Sequence, residues 1–215
     1  LIRKIVLSET YRQSSLHPEA EAHSRTDADN MSLWRQNRRR MDAEVLRDSM
    51  LAVSGELNRK MGGPSFYPVM PPEVLEGFSR KEKAWKESSP QERKRRSVYM
   101  FSKRHLLLPL MTAFDFPNSE KPCGRRNVTT VAPQALAMLN NQFVHDRSER
   151  LANRIAARGL NGQKAIEEAW RLVLARDPAG VELDMALSHY AKQKGRFQRE
   201  EGSEPDSLGI PGQGL

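Results

Sequence analysis

The sequence predicts a mainly α-helical protein: an irregular helical domain with long loops and at most a minor, short β element. Apolar residues recur through most of the chain at the three- and four-residue spacing of a helix face. The best strand candidate is a single short run, residues 97–101. No internal repeat is apparent. These observations favour one helical domain over residues 1–193.

Two helices are predicted in the N-terminal third, with a polar loop over residues 17–30 between them. The first ends near Ser14 and has a short apolar face. The second follows the triplet Arg38-Arg39-Arg40 and stops at the breaker sequence of residues 61–64. Its apolar positions recur at helical spacing: Met41, Val45, Leu46, Met50, Val53 and Leu57.

The middle of the chain, about residues 65–96, is rich in proline and then in charge, which predicts a long excursion. At most a short helix is expected there, around residues 81–86. The apolar run of residues 106–111 favours a helix, because Pro109 lies early enough to be tolerated.

Three helices are predicted in the C-terminal part. One begins near Pro133 after the hydroxyl caps Thr129 and Thr130, breaks at Asn140-Asn141, and ends at Gly159. The next two cover about residues 166–173 and 181–190. From residue 194 the chain is rich in glycine, serine, proline and charge, which predicts a disordered tail over residues 194–215.

The net charge of +8 lies in the N-terminal part of the chain. Residues 1–127 carry 24 Lys and Arg against 16 Asp and Glu, whereas residues 128–215 carry 11 of each. An anionic partner such as nucleic acid, a sulfated or uronic polysaccharide, or acidic lipid fits this asymmetry. Solvated helix faces in an arginine-rich protein explain it equally well, since no aromatic residues are interleaved with the basic groups.

Several classes of site and segment are not indicated. The five histidines are scattered and have no neighbouring cysteine, so no metal site is predicted. The absence of a Cys-x-x-Cys-His motif predicts no haem or other cofactor on this chain. The lone Cys123 excludes an internal disulfide, and no apolar run is long enough for a membrane span. Whether the protein is an enzyme stays open.

Candidate ligand-binding residues lie where basic groups meet apolar elements. Guanidinium pairs bind carboxylates or sulfates, and a helix N-terminus attracts anions. Asp115, between two phenylalanines, is either a structural partner of Arg104, Arg125 or Arg126 or a perturbed functional acid. The candidates are Arg39, Arg40, Arg104, His105, Asp115, Arg125, Arg126 and Asn127.

Blocks of sequence in a fixed order carry a family resemblance. They are residues 5–14 (IVLSETYRQS), 33–35 (LWR), 38–44 (RRRMDAE), 47–49 (RDS), 53–55 (VSG), 61–64 (MGGP), 96–99 (RSVY), 107–109 (LLP), 114–115 (FD), 123–140 (CGRRNVTTVAPQALAMLN) and, more weakly, 171–176 (RLVLAR) with Pro178 and Glu182. Together they span about residues 1–190. The chain resembles a planctomycete-type domain of unknown function that is usually C-terminal in large exported proteins.

That resemblance implies a setting rather than a reaction. It implies upstream domains on the same polypeptide, often c-type cytochrome-like, which would carry any haem, and a periplasmic or cell-envelope location. The chain is then expected to be a C-terminal fragment of a longer protein. The expected partners are those upstream domains and an anionic polysaccharide, and export disfavours nucleic acid.

Three functional hypotheses follow. In the first, a helical module binds an anionic or carbohydrate ligand, or docks to upstream domains, at a site where residues 34–48, 97–115 and 123–140 converge. The second is a polysaccharide-active enzyme that uses Asp115 or Glu44 as acid/base. The third is a nucleic-acid binder that uses the basic N-terminal half.

Overall fold

The computed structural model describes residues 1–76, 85–104, 106–118, 120 and 122–202. About 53% of the chain is helical and 3% is in isolated bridges, and no sheet forms among the described residues. The prediction of a mainly α protein is confirmed. The chain forms two compact units, Leu1–Asp42 and Ala43–Leu215. The boundary lies at the start of the fourth helix, within the predicted domain of residues 1–193.

The first unit holds three short helices: α1 (Ile2–Val6), α2 (Glu9–Arg12) and α3 (Ala20–Thr26). The predicted first helix is therefore divided, because the Ser8 hydroxyl caps α2 by accepting from the Tyr11 N–H at 3.3 Å. The stretch predicted as a loop contains α3, which has no buried residue and so no apolar pattern. Glu21 and Arg25 form an ion pair one turn apart along it.

Polar side chains order the loop that follows α3. The carboxylate of Asp27 accepts from the N–H groups of Met31 and Ser32, each at 2.8 Å. Those backbone donors, Ser32 first, hold the pKa of Asp27 below its ordinary value. The buried Asn30 has a φ of 56° and its amide bonds both the N–H and the carbonyl of Arg35.

The second unit contains eight α-helices and one 3₁₀ helix among its described residues. They are α4 (Ala43–Val53), α5 (Pro72–Leu75), α6 (Pro90–Arg93), the 3₁₀ helix (Ser97–Tyr99), α7 (Pro109–Ala113), α8 (Ala132–Asn140), α9 (Gln142–Ala156), α10 (Gly162–Leu174) and α11 (Gly180–Gly202). Helix α4 packs against the 3₁₀ helix, α7 and α9. Helices α8, α9, α10 and α11 each pack on the next one in the chain, and α8 also contacts α7.

Two apolar clusters form the core of this unit. One is built on α4 and α7, from the buried residues Ala43, Leu110, Met111 and Phe114. The other consists of Met70, Trp85 and Leu106, and the indole of Trp85 donates to the carbonyl of Pro68 at 2.8 Å. The proline-rich excursion therefore contributes to the core through its described residues.

The strand prediction for residues 97–101 is wrong, since Ser97–Tyr99 form a 3₁₀ helix. The carboxylate of Asp48 accepts from both the N–H and the hydroxyl of Ser97, each at 2.7 Å. This ties Ser97 to α4 instead of a neighbouring strand. Within the predicted strand, Met100 forms an isolated bridge with Phe66.

The excursion also carries two four-residue helices that the sequence analysis does not predict, α5 and α6, each with proline in its first turn. The predicted short helix around residues 81–86 falls largely outside the described residues, and Trp85 and Lys86 are not helical.

The helix predicted over residues 106–111 is present as α7, but it begins only at Pro109, and it ends in a Schellman motif. The N–H of Asp115 donates to the carbonyl of Thr112, and the N–H of Phe116 donates to that of Met111. Asp115 takes the left-handed position, with a φ of 59°. Glycine usually occupies this position, and aspartate tolerates it better than most residues.

The break between α8 and α9 lies where predicted: the side chain of Asn141 accepts from the N–H of Phe143 at 3.0 Å. The predicted capping of α8 by Thr129 and Thr130 is wrong, because the N-cap is Val131. At this helix start the side-chain amide of Gln134 accepts from the N–H of Val131 and donates to the carbonyl of Thr129. The Thr129 hydroxyl donates to Asp115.

The last two helices are joined by a turn in which Ala175 has a φ of 54° and Arg176 pairs with both oxygens of Glu182. Helix α11 continues to Gly202, so residues 194–202 are helical instead of disordered. The polar composition of residues 194–202 indicates that few side chains are buried there. An exposed segment can still form the backbone hydrogen bonds of a helix. Residues 203–215 lie outside the described residues. None of the described helices is long and apolar enough to cross a membrane.

Candidate ligand-binding cleft

Arg126, one of the predicted ligand-binding residues, is engaged by Glu44 of α4. Its two terminal nitrogens donate to the two carboxylate oxygens, each at 2.8 Å. Partial burial of Glu44 opposes its ionisation, but the hydrogen bonds and charge of Arg126 outweigh this and lower the pKa of Glu44. The pair joins the segment of residues 122–131 to α4.

Asp115, the predicted partner of an arginine, binds Thr129. Its carboxylate accepts from the Thr129 N–H at 2.8 Å and from the Thr129 hydroxyl at 2.9 and 3.1 Å. Because Asp115 lies directly after α7, these bonds join the same segment to the end of that helix. We call residues 122–131 the clasp segment.

The other predicted residues occupy separate positions. Arg125 and Asn127 are exposed on the clasp segment, and Arg104 is exposed beyond the 3₁₀ helix. Arg39 is exposed and Arg40 is half-buried in the first unit, whereas His105 lies outside the described residues. Within the second unit, the structure thus brings together Glu44 with Arg126, and Asp115 with Thr129.

A cleft of about 690 Å³ opens elsewhere in the second unit. Its walls come from α4, the starts of α5, α6 and α7, and the junction of α8 with α9. Apolar side chains make up about half of the lining: Leu51, Pro68, Val69, Met70, Pro71, Pro72, Pro90, Leu108, Pro109, Leu110 and Phe143. The three short helices that reach the cleft each have proline in the first turn. Proline fixes the backbone there, which gives these walls a rigid apolar surface.

The remaining lining is polar and includes both amides and charges. Three consecutive amide side chains at the start of α9 face it, together with four cations and two carboxylates. These groups are Asn140, Asn141, Gln142, Arg47, Arg93, Lys94, Arg147, Glu73 and Asp146. Apolar walls with a limited set of convergent polar groups are typical of ligand sites.

Arg47 is the most buried cation of the cleft, with 3% of its surface exposed. Its guanidinium donates to the carbonyls of Arg95 at 3.0 Å and Arg93 at 2.5 Å, and to the hydroxyl of Ser97 at 3.1 Å. Asp48 lies 3.4 Å away. These bonds fix the position of the chain between α6 and the 3₁₀ helix.

Burial lowers the pKa of Arg47, Asp48 opposes this and the nearby charge of Arg147 adds to it, and the resulting pKa is about 10. At neutral pH the guanidinium therefore stays protonated. It lies 5.4 Å from the centre of the Phe143 ring, and that of Arg147 lies 5.3 Å from the same ring. Both guanidiniums thus lie near the Phe143 ring at one wall of the cleft.

Arg95, whose carbonyl accepts from Arg47, is fully buried. Its guanidinium donates to the carbonyls of Pro64 and Gly62, and to the carboxylate of Glu92. Positive φ angles at Gly62 and Gly63 give the turn that presents these carbonyls.

Residues 1–190 match the family PSD1, described as a protein of unknown function (DUF1553). The chain belongs to the PSD1 family. No curated protein and no solved structure matches it. The resemblance to a domain of unknown function is confirmed, and planctomycete origin and association with cytochrome domains stay predictions.

The cleft of this PSD1 domain uses residues that the sequence analysis does not select as ligand-binding. Asn140 and Asn141 carry a signal as a helix break, and Lys94 lies in a basic run, residues 93–96, that directly precedes an apolar segment. Nothing in the local sequence marks Arg147. Among the described residues, no group of three or more His, Cys, Asp or Glu side chains is arranged to hold a metal ion.

Proposed function

We propose that this PSD1 domain is a ligand-binding module and that an anionic or carbohydrate ligand binds in the cleft of the second unit. The cleft itself is the observation that supports the proposal. Its volume of about 690 Å³ lies within the range of roughly 300–1,000 Å³ that is common for small-molecule sites.

The lining suits the chemistry of sugars and of anions. Amide side chains donate to and accept from hydroxyl groups, and Asn140 and Gln142 both line the cleft. The proline walls and the Phe143 ring offer apolar surface to the carbon–hydrogen faces of a sugar ring. Arginine and lysine suit a carboxylate or a sulfate.

The alternative of a polysaccharide-active enzyme with Asp115 or Glu44 as acid/base has less support. A general acid at neutral pH needs a raised pKa, whereas the pKa of Glu44 is lowered beside Arg126. Asp115 accepts bonds from Thr129 that hold the clasp segment. Both contacts favour a structural role.

Nucleic-acid binding through the basic N-terminal half has less support as well. Several basic groups of that half have carboxylate partners within the chain, among them Lys60, Arg93 and Arg126. A strong fall of DNA retention with added salt would restore this alternative.

The cellular setting is also part of the proposal. From the family resemblance we infer a planctomycete-type, exported protein of the periplasm or cell envelope, whose upstream domains, often cytochrome-like, lie beside this one. The upstream coding sequence tests this inference. A leader and a Cys-x-x-Cys-His motif are expected there, and a complete gene that lacks both would contradict it.

Binding of matched trisaccharides tests the proposed function. We expect calorimetric titration with a neutral, a uronate and a sulfated trisaccharide to give binding by at least one of them. Replacing both amides in the double variant Asn140→Ala with Gln142→Ala should weaken that binding about tenfold. Two hydrogen bonds of about 1 kcal/mol each are lost, and water partly compensates for the loss.

Asn153→Ala is the matched control, because Asn153 is exposed on the same helix α9 and does not line the cleft. Its affinity should equal that of the wild type. The proposal is wrong if no trisaccharide binds, or if the double variant binds as tightly as the wild type.

A further inference from the structure

A single carboxylate, that of Glu56, is shared by three cations beside the cleft. Its oxygens lie 2.6 Å from Lys94 Nζ, 2.5 Å from Arg147 Nη1 and 4.0 Å from Arg150 Nε. Lys94 and Arg147 also line the cleft, whereas Arg150 points to solvent with 60% of its side chain exposed. Two of the three cations therefore line the cleft and share one internal anion.

Arg147 has hydrogen-bonding capacity that the described part of the chain does not use. Its side chain is only 13% exposed, and its Nε has no hydrogen-bond partner there. A buried donor without a partner is energetically unfavourable. A planar oxyanion could accept from Nε and a terminal nitrogen together, as guanidinium geometry favours.

The surroundings hold this guanidinium in place. The Phe143 ring lies beside it, and Phe143 packs against the core cluster of α4 and α7. Glu73 and Asp146 line the cleft too, and Asp146 accepts from Gln142 at 2.8 Å. Lys94 and Arg147 lie together around Glu56, so the anion is expected beside these two cations.

We propose that the cleft selects ligands that carry a carboxylate or sulfate group, that Lys94 and Arg147 bind this group, and that Glu56 competes with it as an internal anion. This inference rests on the proposed function, since it names the chemical class of the ligand at the same site. It assigns opposite effects to two residues that touch each other. Removing Arg147 should weaken binding of an anion, and removing the charge of Glu56 should strengthen it.

The test compares the neutral, uronate and sulfated trisaccharides on four proteins: the wild type, Arg147→Met, Glu56→Gln and Arg150→Met. In the wild type the charged sugars should bind at least about tenfold tighter than the neutral one, with a preference that falls as salt is added. Arg147→Met should remove this preference, because it should weaken binding of the charged sugars by a larger factor than binding of the neutral one. Glu56→Gln should tighten binding of the charged sugars about fivefold, because the two cations lose their competing carboxylate.

Arg150→Met is the control, because Arg150 pairs with Glu56 at the longest distance and does not line the cleft. It should change no affinity more than about twofold. The relative affinities of the uronate and the sulfated sugar tell which oxyanion the site prefers. Thermal melting of each variant verifies folding, and Lys94→Met replaces Arg147→Met if that variant does not fold.

The outcomes separate this inference from the proposed function. Neutral and charged sugars that bind equally, with the amide double variant still weakened, would overturn the anion inference and leave the binding function standing. Glu56→Gln that weakens or does not change binding of the charged sugars would overturn the role of Glu56. No binding by any sugar would overturn both.

Discussion

The guanidinium of Arg47 is buried among backbone carbonyls, a hydroxyl and an aromatic ring, and it links α4 to residues 93–97, which are distant in sequence. It reaches the carbonyls of Arg93 and Arg95 and the hydroxyl of Ser97. Asp48, the next residue, bonds Ser97 as well. Buried carbonyls without donors are costly, so this single side chain satisfies groups that no apolar residue could.

Arg47→Met keeps much of the side-chain volume but removes all of these donors. We expect the free energy of unfolding to fall by about 3 kcal/mol, because several buried acceptors and the Asp48 carboxylate lose their partner. Urea denaturation followed by circular dichroism measures the change. Arg96→Met, at an exposed arginine beside Arg95, is the control and should lie within about 0.5 kcal/mol of the wild type. Equal losses in both variants would contradict the role of Arg47.

For single residues, the sequence predicts only some of the contacts that the structure shows. The sequence marks Asp115 as an acid that needs a partner, and in the structure its carboxylate binds Thr129, a residue that the sequence does not point to. Arg126 binds Glu44, a residue 82 positions away. Residue types give the need for a partner, whereas the choice among partners depends on distances that only the folded chain sets.

Among the elements, the clasp segment contains the basic turn before α8 and joins this turn to two other helices. Arg126 joins it to α4, and Thr129 joins it to the end of α7. Helix α8 begins directly after it and leads to the amide-rich junction that lines the cleft. The two contacts therefore help to position one wall of the cleft.

Glu44→Gln should lower the stability of the folded protein by about 0.5–1 kcal/mol at pH 7, since the ion pair is bidentate but partly solvated. The pKa of Glu44 is below its ordinary 4.5 in the folded state. Its contribution is thus complete above pH 4.5 and is lost as the pH falls through the lower, folded-state pKa. The difference between wild type and variant should shrink in that acidic window.

Urea denaturation at pH 7 and at successively lower pH measures this difference. Glu149→Gln, an exposed position on α9, is the control and should match the wild type at pH 7. A Glu44→Gln difference that grows on acidification would contradict the ion pair as the cause.

Helix starts and breaks were the elements most open to prediction. Pro109, Pro133 and the Asn140-Asn141 break mark helix ends by local chemistry, and the structure has helix ends at these positions. Helix α3 was missed because it buries nothing and so has no periodic apolar face. The 3₁₀ helix was missed because the bonds from Asp48 to Ser97 outweigh the β propensity of residues 97–101.

For the whole molecule, the cleft depends on segments that lie far apart in the sequence. Residues 47–51, 68–73, 90–94, 108–110 and 140–147 contribute to it. Within each segment the polar residues look like ordinary caps or solvated charges. The net charge of +8 pointed to an anionic partner, and it did not indicate where one would bind. Only tertiary structure brings these side chains together.

The central claim is that a ligand binds in this cleft, and not at the basic clasp segment or the arginine triplet 38–40. Backbone amide chemical-shift mapping of the ¹⁵N-labelled chain with saturating acidic trisaccharide tests it most directly. We predict the largest shift changes in residues 91–94 and 140–147. Shift changes confined to residues 122–131 or 38–40, or no changes at all, would contradict the claim.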